Sequence, residues 1–499
     1  MPLPSDFEKG SHDHIEDSTA NSPAEIELGP EHEAYLIERH GTVFLDPLPS
    51  SDPADPLNWP DWKKNSEILL LAFQTFSSTF MAGGLTPAFE PMAAAYNIST
   101  PTAAYLTSAQ IAVLGGMPLI WLPIMNAYGR NGFLSIASLL CCALNIGGGF
   151  AKTYGQQMAT RVLVACFIST CYAAGSCVVG DLSFAHERGK KNGWWSVGLV
   201  LGTTAGPFFC GFIQQHAGTK WIYFVFAIMN FVQSILWYIA DETVYVRHHD
   251  KPQQTNWILS KVLRLNRNPD QELSFALFLR PFKLFWHFNV MMTTLAISVV
   301  FCYANIVLIV ELPQAMGILF NLDAQQISYQ FIALIIGSTI GEFLAGPLSD
   351  WWMKKSIARR GGERVIVDRL WVSYNGFIFV VIGLVIWGVY LNKATPGHWI
   401  IAPIIGAAIA ACGNNICMTI LITFAIDSDP KKATDIGLFV TFVRQIFAFC
   451  GPFYFPYMFD NLKFNGSAGL MCGLVVVFGA GVVIITHIVG LRQLRVGKN

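Results

Sequence analysis

The sequence predicts an all-α membrane protein with twelve transmembrane helices in two six-helix, pseudo-symmetric bundles. Three observations point there. Hydrophobic residues make up 53% of the 499 and charged residues 13%, and mean hydropathy is +0.44. A soluble chain of this length would carry about 25% charge to cover its surface. Apolar runs of about the roughly 20 residues that a bilayer core demands recur along the chain, and the long polar connection from Asp241 to Phe288 divides them six and six.

Taken in order, residues 1–62 predict a disordered acidic cytosolic tail. Of the 33 acids and 32 bases, 13 and 2 fall between Met1 and Trp59, leaving 20 and 30 for the remainder. That stretch is rich in Pro and Ser and lacks periodicity. No apolar core follows Met1 within about sixty residues, so a cleaved signal peptide is not expected and the first span directs insertion itself. Residues 63–240 form the first bundle, 241–288 a cytosolic linker, 289–490 the second bundle and 491–499 a short cytosolic tail. Spans are expected near Ser66 to Phe89, Pro101 to Met125, Phe133 to Ala151, Gln156 to Gly180, Ser196 to Gln214 and Trp221 to Ala240. The second set runs near Asn289 to Leu312, Ile327 to Leu348, Leu370 to Leu391, Trp399 to Phe424, Ile436 to Met458 and Ser467 to Val489. Inside the linker, residues 256–267 alternate bases and aliphatics at helical spacing, as a helix lying on the inner membrane surface would.

Charge sets the orientation. Even-numbered connections carry Arg130; Arg188, Lys190 and Lys191; seven bases between Arg247 and Lys283; six between Lys354 and Arg369; then Lys431 and Lys432. Odd connections carry about one each, so both termini are expected in the cytosol. The two N-x-Ser/Thr sequons, at Asn97 and Asn465, both fall in connections that this rule puts outside. All eleven cysteines lie inside apolar runs and read as small core residues rather than disulfides.

The stretch from Ala159 to Gly211 is the most specific. A lone Arg161 interrupts its first apolar run. At mid-bilayer an arginine costs about 2.5–3.5 kcal/mol on insertion scales, so it belongs either against a wet cavity or a partner acid, or in a structural pin. In the second run Gly198, Gly202 and Gly206 make one helical stripe that a neighbouring helix can approach closely, followed by Pro207 and then Gly211.

These residues resemble two signatures of the major facilitator superfamily, the buried arginine of the fourth span and the Gly-Pro motif of the fifth. His186-Glu187-Arg188-Gly189 and the Asp55-Pro56-Leu57-Asn58-Trp59-Pro60 string are similar to the same positions in fungal twelve-span drug:proton antiporters. There are departures: Ala165 and Cys210 stand where the family usually has glycine. The loop after the second span keeps Tyr128, Gly129 and Arg130 but lacks the usual acid. Gly206-Pro207 is echoed by Gly451-Pro452 in the second half. The resemblance implies alternating access at a site between two facing halves and proton coupling; the plasma membrane is the expected location, the vacuolar membrane its alternative.

Several side chains are candidates for the chemistry. Glu342, about eight residues or roughly 12 Å from the cytosolic end of its span, is the best coupling carboxylate; it loads and releases a proton, forms a permanent ion pair with Arg444, the lone base of the eleventh span, or faces a water-filled crevice. Arg130, Asp181, Arg188 and Asp350 are expected at the gating loops, with Asp350 capping or pairing at the inner gate. By family analogy the central cavity draws on Gln74, Ser77, Tyr172, Tyr303, Asn305, Asn414 and Asn415. That polar but uncharged set suits a mid-sized, partly apolar molecule, although each residue also reads as helix-to-helix glue.

No phosphate-cradling loop, metal-ligand cluster or nucleophile–base pair is present, so no cofactor, enzyme activity or nucleic-acid partner is expected. The expected partners are a small-molecule substrate, protons and lipid. Proton-coupled export of a drug, toxin or secondary metabolite is the leading expectation. Uptake of a nutrient or polyamine is the alternative, and a non-transporting sensor stands behind both.

Overall fold

The computed structural model describes residues 29–245, 265, 273–363 and 365–496, and every regular element among them is helical. The first is α1 (Pro30–His40), with proline in its first turn and Gly41 at φ 73° behind it. Proline forfeits no hydrogen bond there, and glycine takes the left-handed conformation at no steric cost.

This helix and the strap behind it overturn part of the expected tail. Leu36 and Asp55 are fully buried. The Asp55 carboxylate accepts from the Ser50 amide (2.9 Å) and hydroxyl (3.0 Å) and from the Leu57 amide (3.0 Å). Arg39 donates to the Asn58 carbonyl at 2.7 Å, the His40 and Phe184 rings meet edge to face, and Tyr245 donates to Asp52 at 2.7 Å. Residues 29–62 therefore fold onto the bundle. Average composition hides a short self-capping turn whose polar groups find partners. Replacing Asp55 by alanine should cost this strap about 1–2 kcal/mol, the range of a lost helix cap, read as faster amide exchange at Ser50 and Leu57. Residues 1–28 and, except for Leu265, the expected surface helix at 256–267 lie outside the described residues.

The first crossing is α2 (Asp61–Gly83) continued by α3 (Phe89–Tyr96). Next come α4 (Thr100–Gly116) and α5 (Pro118–Tyr128), then α6 (Asn131–Gly149), α7 (Tyr154–Ile168), α8 (Thr170–Leu182), α9 (Ala185–Ala217) and α10 (Thr219–Ile239). After the short α11 (Phe275–Leu279), α12 (Phe288–Phe301) joins α13 (Val307–Phe320) through one π turn at Cys302–Ile306. The rest are α14 (Ala324–Arg359), α15 (Leu370–Lys393), α16 (Ala402–Ser428), α17 (Ala433–Leu474) and α18 (Val482–Val496). Helix starts follow capping chemistry. Ser99 and Thr153 accept from the backbone of α4 and α7, and Asp323 and Gln326 form a reciprocal capping box at α14.

Ten of these stretches are long and apolar enough to cross a bilayer, and α4 and α5, bent by 45°, make an eleventh. The last of the ten runs 64 residues, roughly 96 Å if it were one straight helix, or three bilayer cores. It is not straight. Lys463 has φ 55° and ψ 179°, and Ser467 beyond it donates back to the Met458 carbonyl at 3.1 Å. The break at Lys463 divides it into two arms.

Helices α2 to α10 pack on one another, as do α12 to α18, and the two sets meet chiefly along two seams, α9 on α14 and α4 on α17. In span numbers these are five on eight and two on eleven, and advancing each by six turns one seam into the other, as a pseudo-two-fold requires. Within the first set the glycine stripe lies on α2. A Cβ at Gly198 would strike the Ala72 carbonyl, at Gly202 the Thr79 hydroxyl and Phe76 carbonyl, and at Gly206 the Phe80 carbonyl. Gly211 faces Ser328 of α14 across the seam, and the Pro207 carbonyl accepts from that hydroxyl at 3.1 Å. Small residues thus bring backbones together where lipid offers no hydrophobic drive for association.

Candidate transport cavity and buried charges

Between the two sets lies a cleft with about 520 Å³ of empty space, open solvent included. From the first set α2 contributes Thr79 and Gly83, α4 contributes Thr107, Ile111 and Leu114, α8 contributes Tyr172, and α9 contributes Leu199 and Thr203. The opposite wall is Phe301, Ile306, Ile309 and Val310, with Arg444 and Gln445 from α17. The π turn between α12 and α13 inserts an extra residue into one helical turn, which is how such turns commonly re-aim side chains near functional sites. Gly115 of α4 allows α17 to come close enough for Gln445 to reach the wall, since a Cβ there would lie 2.6 Å from that of Gln445.

Arg444 is the one charged side chain of that lining. It is 5% exposed, its guanidinium lies 4.6 Å from the Phe301 ring centre, and its Nε has no hydrogen-bond partner among the described residues. The ion pair with Glu342 is not formed. Both Glu342 carboxylate oxygens instead accept from hydroxyls, Oε1 from Ser196 of α9 at 2.8 Å and Oε2 from Thr419 of α16 at 3.1 Å. Glu342 thus sits on the α9–α14 seam, beside a smaller crevice shared with Val197, Val200 and Thr339.

The expected cavity set fares unevenly. Tyr172 lines the cavity. Gln74 donates across to Ser138 at 3.1 Å inside the first set, and Ser77 donates back to the Phe73 carbonyl at 2.9 Å. Asn414 donates to Asn415 at 3.4 Å, and Asn415 to the Ser338 carbonyl at 3.1 Å. Tyr303 accepts from Tyr454 at 3.0 Å, and Asn305 is buried outside that wall. Gln74 and Asn415 thus reach neighbouring helices, while Gln74 Oε1 and Asn414 Oδ1 are buried with no partner among the described residues. The residues that sequence reasoning missed, Thr107, Thr203, Phe301 and Gln445, are too ordinary in type to stand out.

Arg161 meets neither a wet cavity nor an acid among the described residues. It is fully buried, and its Nη2 donates to the Met81 carbonyl at 2.7 Å, with the Tyr223 and Phe226 rings 5.8 and 5.7 Å away. Met81 lies in the last turn of α2, where carbonyls lack intrahelical partners and a cation is favoured by the helix dipole. The arginine caps that helix end within the membrane.

At the basic end a network ties the first set together. Arg130 pairs with Asp181 at 2.5 Å and donates to Asn126 at 3.3 and 3.1 Å. The Glu242 carboxylate accepts from the Arg130 and Asn131 amides at the start of α6, at 3.0 to 3.1 Å. Lys63 pairs with Asp241 at 2.5 Å, whose amide donates to the buried Glu67 at 3.1 Å. The loop after the second span therefore finds its acid on other helices. Arg130 is nearly enclosed while Asp181 is about half exposed, at 8% and 42%, so solvent screens the pair in part. We expect Asp181→Asn to lower stability by about 1–2 kcal/mol, with part of the loss recovered in the Arg130→Gln/Asp181→Asn double variant; thermal unfolding of all four proteins measures it.

Asp350 does not take the expected capping role. Helix α14 runs on past it to Arg359, so there is no helix end to cap, and the side chain is exposed. Asp368 takes that place, accepting from both Arg360 Nε and Nη2 at 2.8 Å. Arg188 lies in the first turns of α9, its Nε buried without a partner among the described residues. Asn97, at φ 53°, and Asn465 are exposed at the end opposite the basic one. All eleven cysteines are unpaired, and no group of three His, Cys, Asp or Glu that could hold a metal occurs among the described residues.

Comparison with known proteins agrees with this geometry. A family model described as Major Facilitator Superfamily matches residues 71–452. The chain is 26% identical to the efflux pump vrtL of Penicillium aethiopicum, over 86% of each chain. It is 24% identical to the probable efflux pump mfs2 of Aspergillus flavus, over 78% of this chain and 93% of that one. The xylose transporter XylE from E. coli, in a partially occluded inward-open conformation, superposes with a TM-score of 0.60 at 14% identity, covering 85% of this chain and 97% of that one. A peptide transporter POT bound to alafosfalin gives 0.61 at 12%, covering 86% and 96%. Two helical sets, a cavity between them and a match over more than three quarters of the sequence carry one conclusion: this multi-pass membrane protein is a transporter that belongs to the Major Facilitator Superfamily.

Proposed function

We propose that the protein exports a mid-sized, partly apolar organic compound in exchange for protons, in the plasma membrane with both termini in the cytosol. The observation that carries this reading is Glu342. It is held on the seam between the two sets by one hydroxyl from each, and no base pairs with it among the described residues. An acid that must exchange partners whenever the halves rock is suited to couple protonation to access. Relatives named efflux pumps support the direction, and the excess of bases at one end supports the orientation. Asp181 and Arg130 serve as the inner gate of the first half, while Arg161 and the glycines of α9 hold its shape.

The experiment is efflux from cells that express the protein, measured over a panel of labelled organic compounds with and without a protonophore. Export above the vector control that collapses with the protonophore is the expected result. Accumulation inside the cell, or export indifferent to the protonophore, overturns the reading.

A further inference from the structure

Arg444 bears on what the cavity carries. We propose that the cargo is an organic anion, a compound with one carboxylate or comparably acidic group on an aromatic or aliphatic body, and that Arg444 is its counter-ion. This rests on the reading of the central cavity as the cargo site, not on the proton coupling.

The argument is one of unbalanced charge. No acid stands among the lining residues, and Glu342 is engaged elsewhere by Ser196 and Thr419. Arg444 has for company the face of Phe301 and neutral groups. A buried guanidinium without an acid partner is costly, and the face of one ring offsets only part of that cost. A ligand carboxylate supplies the missing charge and can take both arms of the planar fork at once. Thr107 Oγ1 reinforces this: it is buried without a partner among the described residues, and its hydroxyl can donate to such a group. The remaining wall, from Ile111 and Leu114 to Ile306 and Ile309, asks for an apolar body. One cation fits one anionic group, whereas an amine or polyamine would bring its charge against Arg444 with nothing to offset it.

The test uses three isosteric probes of different charge: 1-naphthoate, 1-naphthamide and 1-naphthylmethylammonium. Each is titrated calorimetrically into the purified full-length protein in detergent, with protein-free micelles as the blank. The wild type is expected to bind naphthoate at least tenfold tighter than either of the others, a comparison that needs no variant. Arg444→Gln should erase that preference and leave naphthamide unchanged, while Arg444→Lys keeps most of it. If naphthamide or the ammonium binds the wild type as tightly as naphthoate does, or if the anion preference survives in a folded Arg444→Gln, the proposal is wrong. Because no gradient is present, the result is independent of proton coupling. Protonophore-resistant export would sink the antiport reading alone, and absent anion preference beside protonophore-sensitive export would sink this inference alone.

Discussion

Gly202→Leu is expected to yield no stable protein. Gly202 lies mid-way along α9 where its backbone rests on α2, and the first atoms a side chain would meet are the Thr79 hydroxyl and the Phe76 carbonyl. A hydroxyl can swing away, but a helix carbonyl cannot move without the helix. Thr79 also holds its place by donating to the Thr75 and Phe76 carbonyls, each at 3.1 Å. The two helices must then separate along a stripe that Gly198 and Gly206 extend in both directions, opening contacts that keep Arg161 out of lipid as well. Overpacking costs about 1–3 kcal/mol where side chains can adjust, and here backbone blocks the adjustment, so the loss should reach or exceed that upper figure. The readout is size-exclusion behaviour and thermal unfolding in detergent. Gly193→Ala, on the same helix but facing open space, is the control and should be neutral or stabilising by at most about 1 kcal/mol. A monodisperse Gly202→Leu protein that melts with the wild type would mean that α2 and α9 do not pack as described.

That close approach was legible in the sequence, and the reason is general. A glycine stripe at four-residue spacing has one common use in a membrane helix, and twenty-residue apolar runs have one too, so the helical class, the segments and their contact stripe can be read directly. Which face of each span looks at the cavity cannot. These helices are apolar on every side, because lipid and neighbouring helices are equally greasy, and the periodicity that orients a soluble helix is absent. Gln74 and Asn415 thus read as cavity groups yet serve neighbouring helices, whereas Thr107 and Phe301 gave no signal and line the wall. Which charges pair was not legible where the partners lie far apart in the chain or in the fold: Arg130 finds Asp181 some fifty residues on, and Arg360 is held by Asp368, while Asp350 lies exposed along a helix that continues to Arg359. The acidic stretch before α2 was misread for a different reason: five residues, Asp55 to Trp59, decide its fold, and their chemistry is averaged away by the chain around them.

Glu342→Gln is expected to leave the fold intact and to abolish concentrative export, lowering the steady-state gradient at least tenfold. The substitution is nearly isosteric. Its amide oxygen still accepts one hydroxyl, and the other can rotate to donate elsewhere, so the structural cost is confined to about one hydrogen bond, 0.5–1.5 kcal/mol. What glutamine cannot do is change its charge. In the wild type the carboxylate is held, among the described residues, by Ser196 and Thr419, so losing or gaining a proton alters how strongly α9 grips α14 and α16. A ligand that binds two states unequally is what shifts an equilibrium between them, and in the proposed exchange the proton is that ligand. With glutamine the grip is constant and the halves rock without reference to the proton gradient. Substrate should then cross in both directions down its own gradient, with export insensitive to a protonophore. The two readings of Glu342 part at this point. If it is only glue between helices, Glu342→Gln will melt slightly earlier and still build a full, protonophore-sensitive gradient; Ser196→Ala and Thr419→Val, each removing one donor, should then behave the same way. If it is the coupling acid, those two variants retain coupling with a shifted pH dependence while Glu342→Gln alone loses it. Efflux across external pH in the four proteins separates the cases, because glue predicts four parallel profiles and coupling predicts one flat line among them.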